Sequence, residues 1–313
     1  MSVLLARAGL EYRGGFAELP GGLRVHYLDY GPESATRDGP VELTGAPDVE
    51  TPAVLLVHGA GAGGAIWYRQ IAALSKQFRV IAPDSPLFGL STQTVLRGPQ
   101  DTVARPCFED FTTAYLTAFM DALGLKQVML TGLSAGGFAG IFMALRRPER
   151  VSKLALLDAM GLGRDLPWAM RLLATPGAGY FLSRPGKRAH DLFFSTLEVA
   201  HPDGPDAEAY KRYAYEVVRN DGHARGLRLS APALADLGGQ RRVITAGELA
   251  SVRAPTLIIW GEKDRFFPVS HARRAWSGIP GSTLHILPGA GHVTPWDEPE
   301  RVSELLAGFF GSP

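Results

Sequence analysis

The chain has 313 residues, of which 46% are hydrophobic and 20% are charged, and its formal net charge is +1. These values are typical of a soluble globular protein with a sizeable core, and they exclude a strongly basic nucleic-acid-binding protein because positive charge is not in surplus. The single cysteine, Cys107, excludes an internal disulfide framework and a cysteine-based zinc site.

The apolar stretch near the N-terminus is too short for a signal peptide and is followed at once by a glutamate. No uninterrupted apolar run approaches the roughly 18 residues that a membrane helix needs. We therefore expect a cytoplasmic protein without a membrane span and without a nucleic-acid partner. The oligomeric state is left open, with a homodimer as one alternative.

The first predicted elements are two short strands, 15–20 and 23–31, which flank a Pro-Gly-Gly turn and predict a hairpin. The next stretch, 31–52, is rich in proline, glycine and acidic residues and has little apolar content. Such a composition predicts an exposed loop.

Strands and helices alternate from residue 53 onward, which predicts a parallel sheet covered on both faces. The predicted strands are 53–58, 78–84, 127–132 and 151–158, and the predicted helices are 65–76, 108–124 and 135–148. The alternation stops after Asp158 and resumes near residue 251, with strands at 254–261 and 282–289 and helices at 269–279 and 299–310. We therefore predict an α/β core domain, 1–158 and 251–313, interrupted by a helical insertion, 159–250.

A glycine-rich turn follows the strand at 53–58 in the stretch VLLVHGAGAGGAIW. Gly59, Gly61 and Gly64 match the G-x-G-x-x-G spacing of a dinucleotide-binding turn. Asp84 ends the next apolar run, where such a fold keeps the carboxylate that binds the ribose. Taken alone, this turn is compatible with NAD binding.

A second strand-to-helix junction, LTGLSAGGFAG, places Gly132, Ser134 and Gly136 in the G-x-S-x-G pattern. This pattern is typical of a nucleophilic serine on a sharp turn, where glycines two residues before and after it let the strand and the helix pass closely. The N–H of Ala135, at the start of the new helix, is then available to stabilise an oxyanion.

A serine nucleophile needs a base, and the base needs an acid that orients it. His292 lies in a glycine-flanked loop after the last predicted strand, and Asp264 follows the strand before it. Asp158 is the alternative acid, whereas Asp297 and Glu298 are expected to cap the closing helix. The other histidines are less well placed, in the hairpin (His26), the insertion (His190, His201, His223), a helix (His271) and a strand (His285).

Five segments together resemble the α/β-hydrolase superfamily: LVHGAGAGG, VIAPDSPLFGLS, LTGLSAGG, LIIWGEKDRFFP and LPGAGHVTPWDEP. The resemblance implies a mostly parallel eight-stranded sheet with helices on both faces and a lid after the sixth strand, here 159–250. It also implies that the Ala60 N–H is the second oxyanion donor and that Phe88 lines the pocket. Because His58 precedes the glycines and Ser134 supplies a nucleophile, the resemblance favours an oxyanion site over an NAD site, with no cofactor or metal.

The resemblance leaves the reaction open. The segment GLSAGG is closer to carboxylesterases, enol-lactonases and lactone-opening members, which favours hydrolysis of an ester or lactone. The segments HGAGAGG and DRFFP resemble carbon–carbon bond hydrolases of aromatic ring-cleavage products, which is the alternative. Those relatives carry an aromatic residue after the histidine and asparagine before the serine, where this chain has Val293 and Leu133. A non-enzymatic ligand receptor is the third hypothesis.

Apolar residues of the insertion and of the loops are expected to form a pocket for a hydrophobic small molecule. Two arginines of the insertion, Arg164 and Arg184, are alternatives for binding a substrate carboxylate. The predicted pocket residues are Gly61, Phe88, Leu162, Trp168, Phe193, Phe267 and Val293, and further roof candidates are Leu166, Met170, Phe181 and Phe194.

Overall fold

The computed structural model describes residues 1–32, 52–91, 108–175, 177–184, 186–193, 199–201, 203, 207–219 and 221–312. The predicted loop at 31–52 lies mostly outside these residues, and Cys107 and Phe194 lie wholly outside them. Within the described part of the chain, no helix is both long and apolar enough to cross a bilayer.

Eight strands form one sheet, and two very short strands form a separate antiparallel pair. The strands are β1 Gly14–Leu19, β2 Leu23–Tyr30, β3 Ala53–Val57, β4 Arg79–Pro83, β5 Val128–Leu133, β6 Val151–Leu157, β7 Ala235–Asp236, β8 Gly239–Gln240, β9 Thr256–Gly261 and β10 Thr283–Leu287. The sheet order is β1-β2-β4-β3-β5-β6-β9-β10. Only the β1–β2 and β2–β4 pairs are antiparallel, so the sheet is mostly parallel, as predicted.

The central strands are aliphatic runs that are buried on both faces. Every residue of β3, β5 and β9 is buried. Alternate residues of β3 contribute to two different hydrophobic clusters: Leu55 and Val57 to one, and Val54 and Leu56 to the other. Side chains that alternate across a covered parallel sheet need an apolar layer on each face, which explains why these strands carry no polar alternation.

Helices supply those two layers. In the described residues they are α1 Ser2–Arg7, α2 Tyr68–Leu74, α3 Phe108–Ala122, α4 Ala135–Arg146, α5 Trp168–Leu173, α6 Ala178–Leu182, α7 Lys187–Phe193, α8 Ala207–Arg219, α9 Asp221–Leu234, α10 Ala246–Ala250, α11 Val269–Gly278, α12 Thr294–Asp297 and α13 Pro299–Gly311. Residues of α3, α4 and α11 pack in the first cluster, and residues of α2 and α13 pack in the second.

The interval predicted as the insertion contains α5 to α10 and the β7–β8 pair. Two of its contacts with the core involve loops that follow strands of the sheet. A Cβ on Gly226 of α9 would lie 2.4 Å from the carbonyl oxygen of Leu87, so this helix approaches the loop after β4 very closely. The backbone N–H groups of Ala200 and His201 donate to the carboxylate of Asp297. These contacts place part of α9 at the loop after β4 and residues 200–201 at the loop after β10.

Two predicted pocket residues of the insertion occupy other positions. Leu162 is 0% exposed and packs in the first hydrophobic cluster. Trp168 is 65% exposed, and the guanidinium of Arg171 lies 4.8 Å from its ring centroid. These positions do not support the roof prediction for either residue, because one side chain fills the core and the other faces solvent. Phe181 is likewise 76% exposed, and Arg164 and Arg184 lie on the surface.

We expect Leu162→Ala to lower the free energy of unfolding by about 2–5 kcal/mol, because it removes a fully buried side chain from a packed cluster. The matched control, Trp168→Ala, is expected to change stability by less than about 1 kcal/mol because the indole is mostly exposed. Urea unfolding followed by circular dichroism measures both values. A larger loss for Trp168→Ala than for Leu162→Ala would contradict this placement.

Candidate active site

Ser134 lies on a sharp turn between β5 and α4. Its φ is 54° and its ψ is −116°, a backbone conformation that L-residues rarely adopt. A Cβ on Gly132 would lie 2.2 Å from the carbonyl oxygen of Gly136, and a Cβ on Gly136 would lie 2.2 Å from that of Val57. Both glycines of the motif are therefore required by close backbone approach, and the turn has the geometry of a nucleophile elbow.

Backbone hydrogen bonds hold the elbow against the end of β6. The N–H of Ser134 donates to the carbonyl of Leu157 at 2.9 Å, and the Ser134 carbonyl accepts from the N–H of Met160 at 3.0 Å. The side chain of Ser134 is half-buried, whereas Ala135, the first residue of α4, is buried. The strained turn thus presents a hydroxyl to solvent-accessible space from a rigid support.

The glycine turn after β3 packs directly beside this serine. A Cβ on Gly59 would lie 3.1 Å from the Cβ and 3.7 Å from the Oγ of Ser134. His58 Nδ1 donates to the Gly59 carbonyl at 2.7 Å, and the N–H of Ser85 donates to His58 Nε2 at 2.8 Å. Because the Gly59 carbonyl and the Ala60 N–H belong to one trans peptide, His58 also sets the direction of that N–H.

The imidazole of His58 is held neutral by its surroundings. Burial lowers its pKa, and this effect outweighs the opposing charge of Asp84 and the hydrogen bond to Gly59. A neutral ring has one donor and one acceptor nitrogen, and the two hydrogen bonds of His58 use one of each. His58 therefore stabilises the turn and does not act as a general acid. Its position before the glycines does not reveal this role in the sequence.

The hydrogen bonds of Asp84 argue against the dinucleotide interpretation of this turn. Its Oδ1 accepts from the N–H of Gly64 at 2.6 Å, and its Oδ2 accepts from the N–H of Leu90 at 2.8 Å and from His26 Nδ1 at 2.9 Å. The hydrogen bond from His26 opposes the effect of burial, and the pKa of Asp84 is lowered. A buried carboxylate that accepts from three internal donors holds these segments together, so Asp84 is placed for a structural role and not for binding a ribose.

The Gly64 position is structural as well. A Cβ there would lie 2.4 Å from the carbonyl oxygen of Ala82, so the short 3-10 turn Gly64–Trp67 packs directly on β4. This close packing accounts for the third glycine of the G-x-G-x-x-G spacing without any bound phosphate.

His292 and Asp264 form a buried pair in the loops after β10 and β9. His292 Nδ1 donates to Asp264 Oδ2 at 3.0 Å. The other oxygen, Asp264 Oδ1, accepts from the N–H groups of Phe266 and Phe267 at 2.7 and 3.0 Å. Three donors therefore orient this carboxylate, and it in turn assigns the proton of His292 to Nδ1, which leaves Nε2 as the basic nitrogen.

Two phenylalanine rings enclose the imidazole of His292. The Phe266 ring stacks on it with centroids 4.4 Å apart, and the Phe267 ring meets it edge-on at 5.2 Å. Phe267 and Val293 are both buried, in different hydrophobic clusters. Phe267, a predicted pocket residue, thus contacts the histidine itself, which restricts the orientations available to the ring.

Asp158, the alternative acid, is also fully buried but has other partners. Its Oδ1 accepts from the N–H of Gly261 at 2.8 Å, and its Oδ2 accepts from the hydroxyl of Thr294 at 2.6 Å. Burial raises its pKa well above the usual value, and the negative charge of Asp264 raises it further. The hydrogen bond from His292 goes to Asp264, so Asp158 ties the ends of β6, β9 and the histidine loop together.

Of the two carboxylates predicted to cap the closing helix, Glu298 lies at the N-cap of α13, whereas Asp297 has other partners. Its Oδ2 accepts from the N–H of Gly291 at 2.7 Å, directly before His292, and from that of Ala200 at 3.0 Å. The residue at the N-cap of α13 is Glu298, whose side chain makes no capping hydrogen bond. Asp297 instead connects the histidine loop to the insertion.

The other predicted pocket residues lie in different surroundings. Phe88 is buried, and the centroid of its ring lies 6.1 Å from that of His58 and 5.6 Å from that of His223. Gly61 has a φ of 83° and lies under His223. Phe193 ends α7, but its side chain is outside the described part of the chain.

A cavity of about 280 Å³ lies beside the loop after β4, between α1 and α8. Asp84, Leu90, Tyr213 and His223 are among its lining residues, and Met1, Val3 and Leu4 close it on the side of α1. It is lined by none of the predicted pocket residues whose side chains the structure describes. The position of His223, between this cavity and the glycine turn, was missed by sequence reasoning, since only the packing of α9 brings it there.

A family model described as the alpha/beta hydrolase fold matches residues 52–299. Among curated proteins, the chain is 28% identical over 270 residues to a 2-hydroxy-6-oxononadienedioate/2-hydroxy-6-oxononatrienedioate hydrolase of Comamonas testosteroni, covering 84% of this chain and 89% of the relative.

Solved structures share the fold. The 2-hydroxy-6-oxo-6-phenylhexa-2,4-dienoate hydrolase of Rhodococcus superposes with a TM-score of 0.76 at 23% identity, over 96% of this chain and all of the other, 100%. An enol-lactonase of Burkholderia xenovorans superposes with a TM-score of 0.70 at 20% identity, over 95% and 100% of the two chains.

Proposed function

Because the chain belongs to the alpha/beta hydrolase fold family and is a hydrolase, we propose that it cleaves a carboxylic ester or lactone of a hydrophobic small molecule through a Ser134–His292–Asp264 triad. The observation that carries this proposal is the 3.0 Å pairing of His292 Nδ1 with Asp264 Oδ2, at the same edge of the sheet as the strained elbow of Ser134. The parallel strands β5, β6, β9 and β10 are neighbours in the sheet, so the loops that follow them leave the same edge of the sheet.

In the proposed reaction, His292 Nε2 takes the hydroxyl proton of Ser134 as Oγ attacks the substrate carbonyl. The N–H groups of Ala60 and Ala135 stabilise the oxyanion of the tetrahedral intermediate. His292 then returns the proton to the leaving oxygen, and an acyl-enzyme remains. Water, activated by the same histidine, releases the acid and restores Ser134. Asp264 stabilises the imidazolium in both steps.

We assign the insertion, 159–250, the role of the lid. Its support is the approach of α9 to the loop after β4 and to the glycine turn. Phe88, Phe267, Val293 and Gly61 remain our candidates for pocket residues, since they lie beside His58, His292 or His223. An apolar pocket of this kind favours a hydrophobic acyl group over a sugar or a phosphate.

Hydrolysis of a carbon–carbon bond is the second candidate, and the curated relative described above favours it. In that reaction the same triad would attack a ketone of a vinylogous diketone, and the leaving group would be a carbanion stabilised as a dienolate. The residues next to the proposed nucleophile and base, Leu133 and Val293, favour ester hydrolysis instead. Leu133 and Val293 are buried and apolar, so their side chains offer the leaving dienolate no hydrogen bond.

A substrate panel separates these candidates. We expect kcat/KM for the best 4-nitrophenyl ester or lactone in a series of chain lengths to exceed kcat/KM for 2-hydroxy-6-oxo-6-phenylhexa-2,4-dienoate by about tenfold or more. Each substrate is run beside the Ser134→Ala variant, which removes background hydrolysis from the comparison. A preference for the diketone would favour the carbon–carbon hydrolase and contradict the first proposal.

The receptor hypothesis is tested by covalent labelling. An activated serine reacts with a fluorophosphonate, so intact mass spectrometry should show one adduct on the wild-type chain and none on Ser134→Ala. An unlabelled wild-type chain would favour a ligand receptor.

A further inference from the structure

His223 of α9 is a buried polar side chain that faces the glycine turn beside Ser134. It is 2% exposed. A Cβ on Gly61 would lie 3.4 Å from His223 Cε1 and 3.8 Å from His223 Nε2, so the edge of the ring that carries Nε2 is turned toward this loop. Leu227, one turn further along α9, would lie 3.7 Å from the same Cβ on Gly61.

Neither ring nitrogen of His223 has a hydrogen-bond partner among the residues that the structure describes. Its ring contact on one side is Phe88, whose centroid is 5.6 Å away. Burying a donor and an acceptor without partners costs desolvation free energy that an apolar side chain of the same size avoids. A histidine at this position is therefore placed to hydrogen-bond a molecule bound beside its ring.

The charge state of His223 narrows the chemistry of that partner. Burial lowers its pKa to about 4, and the neighbouring His58 and His190 lower it in the same direction. At neutral pH the ring is therefore uncharged, with one N–H donor and one acceptor nitrogen. Such a group is suited to a carbonyl or hydroxyl oxygen, whereas a carboxylate is bound better by a cation.

We propose that His223 is a substrate-binding residue that hydrogen-bonds a second, uncharged oxygen of the substrate while Ser134 attacks the first carbonyl. The proposal rests on the function proposed above and names its substrate class: oxo- or hydroxy-substituted acyl compounds rather than plain alkyl esters. The second oxygen lies on the side of the glycine turn, because the Nε2 edge of His223 faces Gly61.

The cavity beside the loop after β4 also borders His223. His223 borders it together with Leu90 and Tyr213, and its volume is about 280 Å³. That volume is close to the lower end of the range for small-molecule sites. The acyl chain beyond the second oxygen would extend past His223 into this space.

The test compares 4-nitrophenyl hexanoate with its 3-oxo, 4-oxo and 5-oxo analogues. We expect the wild-type chain to prefer one oxo ester over hexanoate. His223→Leu should lower kcat/KM for that oxo ester by about 10- to 100-fold, and for hexanoate by less than about threefold. His223→Gln, which keeps a donor and an acceptor, should recover part of the lost preference.

The matched control is His190→Leu, which also removes a buried imidazole from the insertion, but one whose ring contact is Tyr215 on α8. It should leave the ratio of the oxo ester to hexanoate unchanged. His223→Leu should melt at the wild-type temperature or above it, since it removes unbonded polar atoms from a buried position, whereas a structural role would lower the melting temperature.

The outcomes separate the two proposals. Wild-type indifference to the position and presence of the oxo group, or an equal loss on all esters in a well-folded His223→Leu variant, would overturn the role of His223 and leave the triad intact. Undiminished ester cleavage by Ser134→Ala would overturn the proposed function itself.

Discussion

Replacement of Ser134 by alanine is expected to lower kcat for every cleaved ester or lactone by about 100,000-fold or more. The hydroxyl oxygen is the only heavy atom removed, and the elbow keeps its glycines and its backbone hydrogen bonds to Leu157 and Met160. The loss therefore reports the nucleophile and not the fold. Initial rates with a 4-nitrophenyl ester, followed by release of 4-nitrophenolate, measure it.

The control is Ser277→Ala, an exposed serine of α11, which should retain wild-type kinetics. The Ser134→Ala variant should also unfold at the same temperature as the wild-type chain and still bind substrate with a Kd near the wild-type KM. A variant with more than about one tenth of wild-type activity would refute the assignment, because no serine hydrolase retains its rate without the nucleophile.

Substitution of Asp264 by asparagine should lower kcat by about 10,000-fold with little change in KM. The amide oxygen can still accept from the N–H groups of Phe266 and Phe267, and the amide nitrogen then faces His292 Nδ1. Since an amide nitrogen cannot accept a hydrogen bond, it favours the tautomer protonated on Nε2, which cannot deprotonate the serine.

Asp158→Asn is the matched comparison, since Asp158 is as deeply buried and lies on the adjacent strand end. We expect it to cost less than about tenfold in kcat. An asparagine there can accept from the Gly261 N–H and donate to the Thr294 hydroxyl, which can itself act as an acceptor. The raised pKa of Asp158 already indicates that its surroundings disfavour the charge. The reverse order of effects would identify Asp158 as the triad acid.

The choice between these two aspartates shows where sequence reasoning reaches its limit. Both follow an aliphatic run that predicts a buried parallel strand, so chain position places both near the histidine. What separates them is the set of hydrogen bonds around each carboxylate, and those donors come from residues up to 136 positions away. No local pattern encodes such partners. Asp297 illustrates the same limit, since its partner Ala200 lies 97 positions away.

The burial of side chains in the insertion is not encoded locally, for a related reason. Leu162 and Trp168 are both large and apolar and lie six positions apart, yet one is fully buried and the other is mostly exposed. Hydrophobicity measures the tendency to leave water, but the depth of a side chain depends on which elements cover it. His223 is the converse case, a polar residue that the packing of α9 places beside the glycine turn.

The sequence by itself determined the alternating parallel sheet, the strained serine turn and the loops in which the candidate base and acids lie, because each depends on local features: buried aliphatic runs, glycines at fixed spacing and the ends of strands. Only the tertiary structure decided that Asp84 is internally bonded and that His292 pairs with Asp264. It alone also showed that His58 binds the Gly59 carbonyl and that His223 lies against Gly61 of the glycine turn. These relations join distant segments through directional hydrogen bonds and close packing, which exist only once the chain has folded.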